Sequence, residues 1–303
     1  MTAQAVSEEP MRKIKKKRQS PARWFLDTGW RHLITWAITI YAVFPLLYIL
    51  STSLGKNSSI EGNTTLFKSV TFENYFSLFD DPNRPYGTWY LNTLIVGIAT
   101  SVGSVFLSTL AAYAFSRLRF RGRRSGLMSL ILIQMFPSVL GLVAIYTILA
   151  EVGKVVPELG LSSILGLIMA YLGGSLGTGT YLMYGFFNTV PKEIDEAAKI
   201  DGATHTQIFY TIILPLVTPI LAVNTLLSFI GVTSDFVLAS IVLGDPQSMT
   251  LAVGLRQYVS DPFSKDWAVF ASGAVLAAVP TMALFLFLQR YIISGLTGGA
   301  VKG

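Results

Sequence analysis

Few residues in this sequence have the types and spacing that catalysis requires. Gly173–Gly177 matches the G-x-S-x-G pattern of serine hydrolases, but that pattern needs a sharp turn between a strand and a helix. Here it lies in the middle of an apolar run, and neither histidine, His32 or His205, lies in that run to act as the base. The glycine spacing therefore favours close helix packing over a serine nucleophile.

Cofactor and metal chemistry also lack support in the sequence. The chain contains no cysteine, which excludes disulfides, thiolate metal sites and cysteine nucleophiles. The pairs Gly55-Lys56 and Gly153-Lys154 lack the preceding glycine and the following Ser or Thr of a Walker A motif. We therefore expect a chain that is not an enzyme and that binds no cofactor or metal itself.

Long apolar segments dominate the chain. Charged residues make up 13% of the 303 residues, against roughly 25% in soluble domains. A helix of about 20 apolar residues crosses a bilayer, and helices are the usual way to satisfy the backbone in lipid. We expect an all-α integral membrane protein with six transmembrane helices. The six windows are Leu33–Leu54, Tyr90–Ser116, Leu127–Ala150, Leu161–Phe187, Ile212–Leu243 and Phe270–Ile293.

The basic residues predict the orientation of these helices. Of the 23 Lys and Arg residues, 17 lie in the N-terminal tail, the second and fourth links and the C-terminal end, and 6 lie on the other side. By the positive-inside rule, both termini are cytoplasmic. The net charge of +6 then reflects topology and gives no reason to expect nucleic-acid binding. The basic tail is expected to contact anionic membrane lipid.

Asp235 is the one ionisable residue placed well inside a predicted span. A central intramembrane charge costs from about 2.5 kcal/mol upward, so such residues indicate function. We treat Asp235 as a candidate intramembrane polar site. It could line a pore, pair with a partner subunit or reach the outer interface, and the sequence leaves these alternatives open.

The link between the fourth and fifth spans, residues 188–211, is the segment with the clearest local pattern. Pro191 fits the first position of a helix, and Gly202 fits its C-terminal end. Thr204-x-x-Gln207 is a capping box that starts a second helix. We predict two short helices at an angle, with a slim, acid-rimmed surface that fits a cleft in another protein.

This link carries a recognisable signature. Glu196-Ala197-Ala198, three residues, Gly202, nine residues and Ile212-x-Leu214-Pro215 form the complete pattern EAA-x3-G-x9-I-x-L-P. The chain therefore resembles the permease subunit of binding-protein-dependent ABC importers of type I, which have a MetI-like core. We call residues 188–211 the EAA loop.

Two further segments narrow the resemblance. Ser248–Tyr258 and Gly295–Gly303 are similar to the MalG-type permeases of maltose and maltodextrin importers. This implies an ATP-driven carbohydrate importer, for maltose/maltodextrin or a related oligosaccharide, in the bacterial or archaeal inner membrane. A permease for another solute and an ion-coupled secondary carrier are the alternatives.

The resemblance also implies partners and roles. The partners are a second, MalF-like permease, two ATPase subunits that bind ATP and Mg, and an extracytoplasmic sugar-binding protein. The acids of the EAA loop would face the ATPase. The ATPase-coupling residues are Glu196, Ala197, Ala198, Asp201, Gly202, Ile212, Leu214 and Pro215; the ATPase-proximal tail residues are Gly295, Thr297 and Lys302; the residues facing the binding protein are Arg256, Gln257 and Tyr258.

These expectations divide the chain into five regions. The predicted order is a basic cytoplasmic tail (1–32), the first transmembrane helix (33–54), an extracytoplasmic loop (55–89), a permease core (90–293) and a cytoplasmic tail (294–303). The core holds five transmembrane helices and the EAA loop.

Overall fold

Helices form all the regular secondary structure in the computed structural model, which describes residues 25–56, 65–260 and 265–300, without the side chains of 138 and 294–300. The all-α class predicted from the sequence is confirmed. The helices are α1 (Trp30–Ser53), α2 (Glu73–Asp80), α3 (Tyr86–Arg117), α4 (Arg123–Gln134), α5 (Ser138–Val155), α6 (Ile164–Phe187), α7 (Lys192–Ile200), α8 (His205–Leu216), α9 (Thr218–Thr233), α10 (Val237–Val242), α11 (Leu251–Leu255) and α12 (Trp267–Ala300).

Short irregular helices supplement this set. A π-helical turn, Phe25–Gly29, precedes α1, and α8 is π-helical over Ile208–Ile213. Two 3-10 turns follow α5 and α11, at Pro157–Leu159 and Arg256–Tyr258.

The chain divides into two units, residues 1–48 and 49–303. The described part of the first unit is the π-helical turn and most of α1, whose side chains are largely exposed apolar groups such as Trp36 and Tyr41. The second unit contains the remaining helices and the buried core.

The helices are those of a multi-pass membrane protein. Within the described residues, three are long and apolar enough to cross a bilayer: Phe25–Ser53, Tyr86–Arg117 and Trp267–Ile293. Two bent helix pairs would raise this number to five. The expected fourth span is the 24-residue helix α6, which contains several Gly, Ser and Thr residues and is not one of these three. The count of six and the side of the termini stay predictions.

Two predicted spans are bent pairs rather than single helices. The axes of α4 and α5 differ by 102° across a break that contains Pro137. The axes of α8 and α9 differ by 77°, and the break at Val217 follows Pro215 closely. Proline lacks a backbone N–H and its ring clashes with the carbonyl group four residues earlier, so a helix bends or breaks near it.

The core of the second unit forms around α3. This helix packs mainly against α6 and α9, and α9 packs in turn against α12. Many buried residues of α3 are small, including Gly97, Thr100, Ser101, Ser104 and Ser108. Small side chains let helix backbones approach closely, which is the usual basis of helix packing where lipid removes the hydrophobic driving force.

The start of α3 also holds the segment that precedes α11. Asn92 donates hydrogen bonds to the carbonyl oxygens of Gln247 and Met249, both at 2.9 Å. The Trp89 indole N–H donates to the Pro246 carbonyl oxygen at 2.7 Å. These bonds satisfy carbonyl groups of an irregular segment and fix it against the helix.

Gly254 offers a direct test of this packing. An added Cβ would overlap the indole ring of Trp89, which is fully buried and held by its own hydrogen bond. We expect Gly254→Ala to lower the free energy of unfolding by about 1–3 kcal/mol, seen as a lower thermal midpoint of the detergent-solubilised protein. Gly185→Ala is the matched control, because nothing lies within 4 Å of the added atom in α6. Equal midpoints for the two variants would contradict the close approach.

Candidate functional site

The EAA loop folds as the two helices that its sequence predicts. Pro191 immediately precedes α7, one position earlier than expected. The first turn of α7 carries Glu193 and Asp195 and its last turn carries Lys199, which complements the helix dipole. The predicted capping box is confirmed: the Thr204 hydroxyl accepts from the Gln207 N–H, and the Gln207 side chain accepts from the Thr204 N–H at 2.8 Å.

Gly202 makes the turn between α7 and α8. Its φ is +85°, the left-handed region that residues with a Cβ rarely adopt. Nothing lies within 4 Å of the position where a Cβ would stand. Glycine is therefore required at this position by the backbone conformation and not by lack of space.

A buried ion pair anchors α7 to the end of α3. The Nε atom of Arg117 lies 2.5 Å from Oδ2 of Asp195, and the two side chains are only 4% and 8% exposed. Arg117 Nη2 also donates to the Val190 carbonyl oxygen at 2.8 Å. The last residue of α3 thus holds both the start of the loop and its first helix. The expectation that the acids of this link face another protein is wrong for Asp195.

An apolar cluster continues this attachment. Ala198, Ile208, Phe209 and Ile213 of the loop and α8 are buried together with residues of α3 and α6. The rings of Tyr113 and Phe209 meet edge to face with centroids 4.9 Å apart. Ala198, one of the predicted ATPase-coupling residues, is only 8% exposed. Its small side chain lets α7 pack closely on the helices beneath it.

The opposite face of α7 is open. Glu196, Ala197, Asp201 and Gly202 are exposed, so these predicted coupling residues lie together on the surface. Ile200 is 87% exposed beside them, and the sequence reasoning missed it. An isoleucine next to acids at the end of a polar helix was the signal that could have identified it. The loop therefore has one anchored face and one free face.

The last part of the signature lies on α8. Ile212 and Leu214 are half-buried and pack against the same apolar cluster. Pro215 is exposed and stands just before the bend into α9. The signature thus joins the exposed turn at Gly202 to the helix that continues into the core.

The predicted contact residues for a binding protein differ in exposure. Arg256 is exposed, with its guanidinium carbon 5.3 Å from the Phe236 ring centroid. Gln257 is half-buried and donates to the Met249 sulfur at 3.2 Å. Tyr258 is only 3% exposed. A role for Tyr258 in direct contact with another protein therefore needs correction.

The surroundings of Tyr258 explain why it is buried. Its ring lies between Trp89, at a centroid distance of 6.4 Å, and the Arg84 guanidinium, 4.8 Å from the ring centroid. Burial raises the pKa of the Tyr258 phenol to about 12, while Arg84 acts in the opposite direction. Tyr258, the last residue of the 3-10 turn, therefore anchors that turn against Trp89 and Arg84.

Asp235 lies between α9 and α10. Its Oδ2 atom accepts a hydrogen bond from the Tyr171 hydroxyl at 2.6 Å and a longer one from the Ala239 N–H at 3.3 Å. It lines a cavity of about 520 Å³ together with Ser175 and Ser228. Sequence reasoning gave Asp235 no partner, because Tyr171 is on a different helix.

The predicted ATPase-proximal tail lies only partly within the described residues. Gly295 and Thr297 belong to α12, which continues to Ala300, and Lys302 lies outside the described residues. Among the residues that the structure describes, no three His, Asp or Glu side chains are grouped so that they could hold a metal ion.

Comparison with known proteins agrees with the EAA signature. Residues 90–298 match the family of binding-protein-dependent transport system inner membrane components. The chain is 40% identical to the maltodextrin transport system permease protein MdxG of Bacillus subtilis, over 90% of this chain and 95% of that protein. It is 40% identical to the maltose/maltodextrin permease protein MalG of Vibrio vulnificus, with the same coverages. The galactooligosaccharide permease protein GanQ of B. subtilis is 38% identical, with 93% and 98% covered.

Solved structures show the same fold. A chain of a bacterial ABC transporter involved in the import of the acidic polysaccharide alginate superimposes with a TM-score of 0.74, at 22% identity, over 91% of this chain and 99% of that one. A second alginate transporter structure, in complex with a pentasaccharide-bound periplasmic protein, gives 0.64 at 16% identity, over 89% and 94%.

The buried ion pair can be tested by unpairing it. Asp195→Ala leaves the Arg117 charge buried without its partner, so we expect a loss of about 3–5 kcal/mol of stability. The double variant Arg117→Met/Asp195→Leu should recover most of it. Glu193→Ala, an exposed acid on the same helix, should change stability by less than about 0.5 kcal/mol. Unfolding of the detergent-solubilised protein measures the stability change of all three variants. Equal losses of stability for Asp195→Ala and Glu193→Ala would refute the anchoring role.

Proposed function

The chain belongs to the family of binding-protein-dependent transport system inner membrane components, and from that premise we propose that it is the permease subunit of an ATP-driven oligosaccharide importer. The observation that carries this proposal is the two-faced EAA loop, anchored by Arg117 and Asp195 and exposed at Glu196, Ala197 and Gly202. Similar permeases are named for maltodextrin, maltose and galactooligosaccharides. These names support a hexose oligosaccharide as the substrate, with maltose or maltodextrin as the preferred candidate.

The exposed face of α7 is the proposed contact with an ATPase subunit. Glu196 and Asp201 supply negative charge, while Ala197 and Gly202 keep the surface slim enough to enter a cleft. Ile200 supplies an apolar group at the tip. A docking surface needs both features, since apolar burial provides affinity and complementary charge fixes the register.

The anchored face is the proposed route by which motion of the ATPase reaches the membrane. The buried pair ties α7 to α3, and the apolar cluster ties α8 to α6. A displacement of the loop would therefore move these helices together, because packed interfaces shift as rigid bodies. ATP and Mg would bind the ATPase subunits, and this chain would contribute no catalytic group.

The complete assembly that we propose contains a second permease, two ATPase subunits and an extracytoplasmic sugar-binding protein. In this arrangement the EAA loop and both termini are cytoplasmic. Exposed Arg256 in the turn after α11 would face the binding protein, with Tyr258 holding that turn in place. The alginate transporter solved with its periplasmic protein is an example of this fold in complex with such a protein.

Charge reversal at Glu196 tests the docking role. We expect Glu196→Lys to reduce sugar uptake by at least about tenfold, because a like charge placed against a basic partner costs several kcal/mol. Radiolabelled maltodextrin uptake is the measurement, with immunoblotting to verify the amount of chain in the membrane. The matched control is Glu193→Lys, which reverses another exposed acid on α7 outside the signature. Normal uptake by the Glu196 variant would exclude the proposed contact.

The exposed isoleucine provides a second, independent test. Ile200→Ser should weaken retention of the ATPase subunits by about tenfold, since complete burial of an isoleucine is worth roughly 1.5–3 kcal/mol. Ile200→Leu keeps the apolar area and should behave as the wild type. Co-purification of the ATPase with the tagged permease measures the effect. Equal retention in both variants would show that the tip of α7 stays exposed in the complex.

A further inference from the structure

A polar pocket of about 300 Å³ lies where α3, α4 and α7 meet. We call it the basic pocket, because five cations line it against two carboxylates, Asp195 and Glu196. The cations are Arg117, Arg119, Arg123, Lys192 and Lys199. Neither docking of an ATPase on the exposed face of α7 nor sugar transport explains this concentration of positive charge.

The carboxylates balance only part of this charge. Asp195 is already paired with Arg117 inside the protein. Within the described part of the chain, no ion pair shorter than 4 Å joins Arg119, Lys192 or Lys199 to an acid. Like charges gathered around one cavity repel each other, and the repulsion is relieved when an anion binds between them.

Arg117 provides a second, independent observation. Its side chain is 4% exposed, and its Nη1 atom is buried with no hydrogen-bond partner among the described residues, as is the Oδ1 atom of its ion-pair partner Asp195. A buried guanidinium N–H without an acceptor is rare in folded proteins and indicates a missing partner. Because Arg117 lines the basic pocket, an oxyanion bound there could accept this hydrogen bond.

The start of α4 adds to the positive potential. This 12-residue helix begins at Arg123, its N-cap Gly122 offers no side-chain oxygen, and its first turn contains no acid. Its free N–H groups and the positive end of its dipole therefore lie beside Arg123 at the pocket. Helix N-termini with nearby arginines are established sites for phosphate groups.

We propose that the basic pocket binds a phosphate group, carried either by the headgroup of an anionic phospholipid or by free phosphate. Arg117 and Arg123 would hold the oxygens through charge-assisted hydrogen bonds, and Arg119 and Lys199 would supply attraction at the mouth. Tyr113 and Ser116, in the last turns of α3, line the same pocket, so it opens at the end of a membrane-crossing helix, where lipid headgroups lie. A bound anion would brace α7 against the α3–α4 link.

The experiment compares two double variants of the complete importer, purified with its partner subunits. Arg119→Gln/Lys199→Gln removes two pocket cations and leaves the buried pair intact. Arg121→Gln/Arg124→Gln removes two exposed cations, one in the α3–α4 link and one in the first turn of α4, that do not line the pocket. One arm uses nanodiscs of phosphatidylcholine with phosphatidylglycerol and measures retained lipid by native mass spectrometry. The other uses pure phosphatidylcholine nanodiscs and measures thermal stabilisation by inorganic phosphate at constant ionic strength.

The pocket variant should bind the anion about twenty-fivefold more weakly than the wild type, at roughly fivefold for each of the two cations removed, while the control variant binds normally. Loss confined to the lipid arm identifies a phospholipid headgroup, and loss confined to the phosphate arm identifies free phosphate. Equal binding by wild type and pocket variant in both arms overturns the proposal. So does an equal loss in the control variant, which would indicate diffuse surface charge. Loss of the ATPase subunits by the pocket variant, with anion binding unchanged, would identify the pocket as a protein contact instead.

Discussion

The pairing of Arg117 with Asp195 is the interaction on which the rest of the site depends. Burying two charges is costly, and their attraction seldom exceeds that cost by much. We infer that the pair contributes specificity more than net stability, because a different approach of α7 to α3 would leave a buried charge without its partner. The Val190 carbonyl oxygen, bonded to the same guanidinium at 2.8 Å, extends this control to the start of the loop.

The two faces of the EAA loop follow from this constraint. Once α7 is fixed by Asp195, the helical period places Ala198 inward beside the apolar cluster and leaves Glu196, Ala197 and Ile200 on the surface. The free turn at Gly202 and the half-buried Ile212 then connect that surface to the core. A loop that is rigid on one side and open on the other is suited to transmit force, which is the role that we propose for it.

Polar contacts also determine the shape of the remaining core. Trp89 and Asn92 hold an irregular segment against the start of α3. The ring of Tyr258, in the 3-10 turn after α11, packs against Trp89. Asp235 stabilises the break after α9 by accepting hydrogen bonds from the Tyr171 hydroxyl and the Ala239 N–H. The hydrogen bonds from Trp89, Asn92, Tyr171 and the Ala239 N–H satisfy carbonyl or carboxylate oxygens that would otherwise be unpaired.

The sequence alone determined what depends on neighbouring residues. Apolar runs located the helices, Gly202 and Thr204 located the turn and the capping box, and the spacing from Glu196 to Pro215 identified the family. The tertiary structure decided what depends on residues distant in the chain. It paired Asp195 with Arg117, turned Ala198 inward and buried Tyr258. Periodicity and capping act within one or two turns of backbone, whereas the partner of a charge or a ring is set only when separate helices pack.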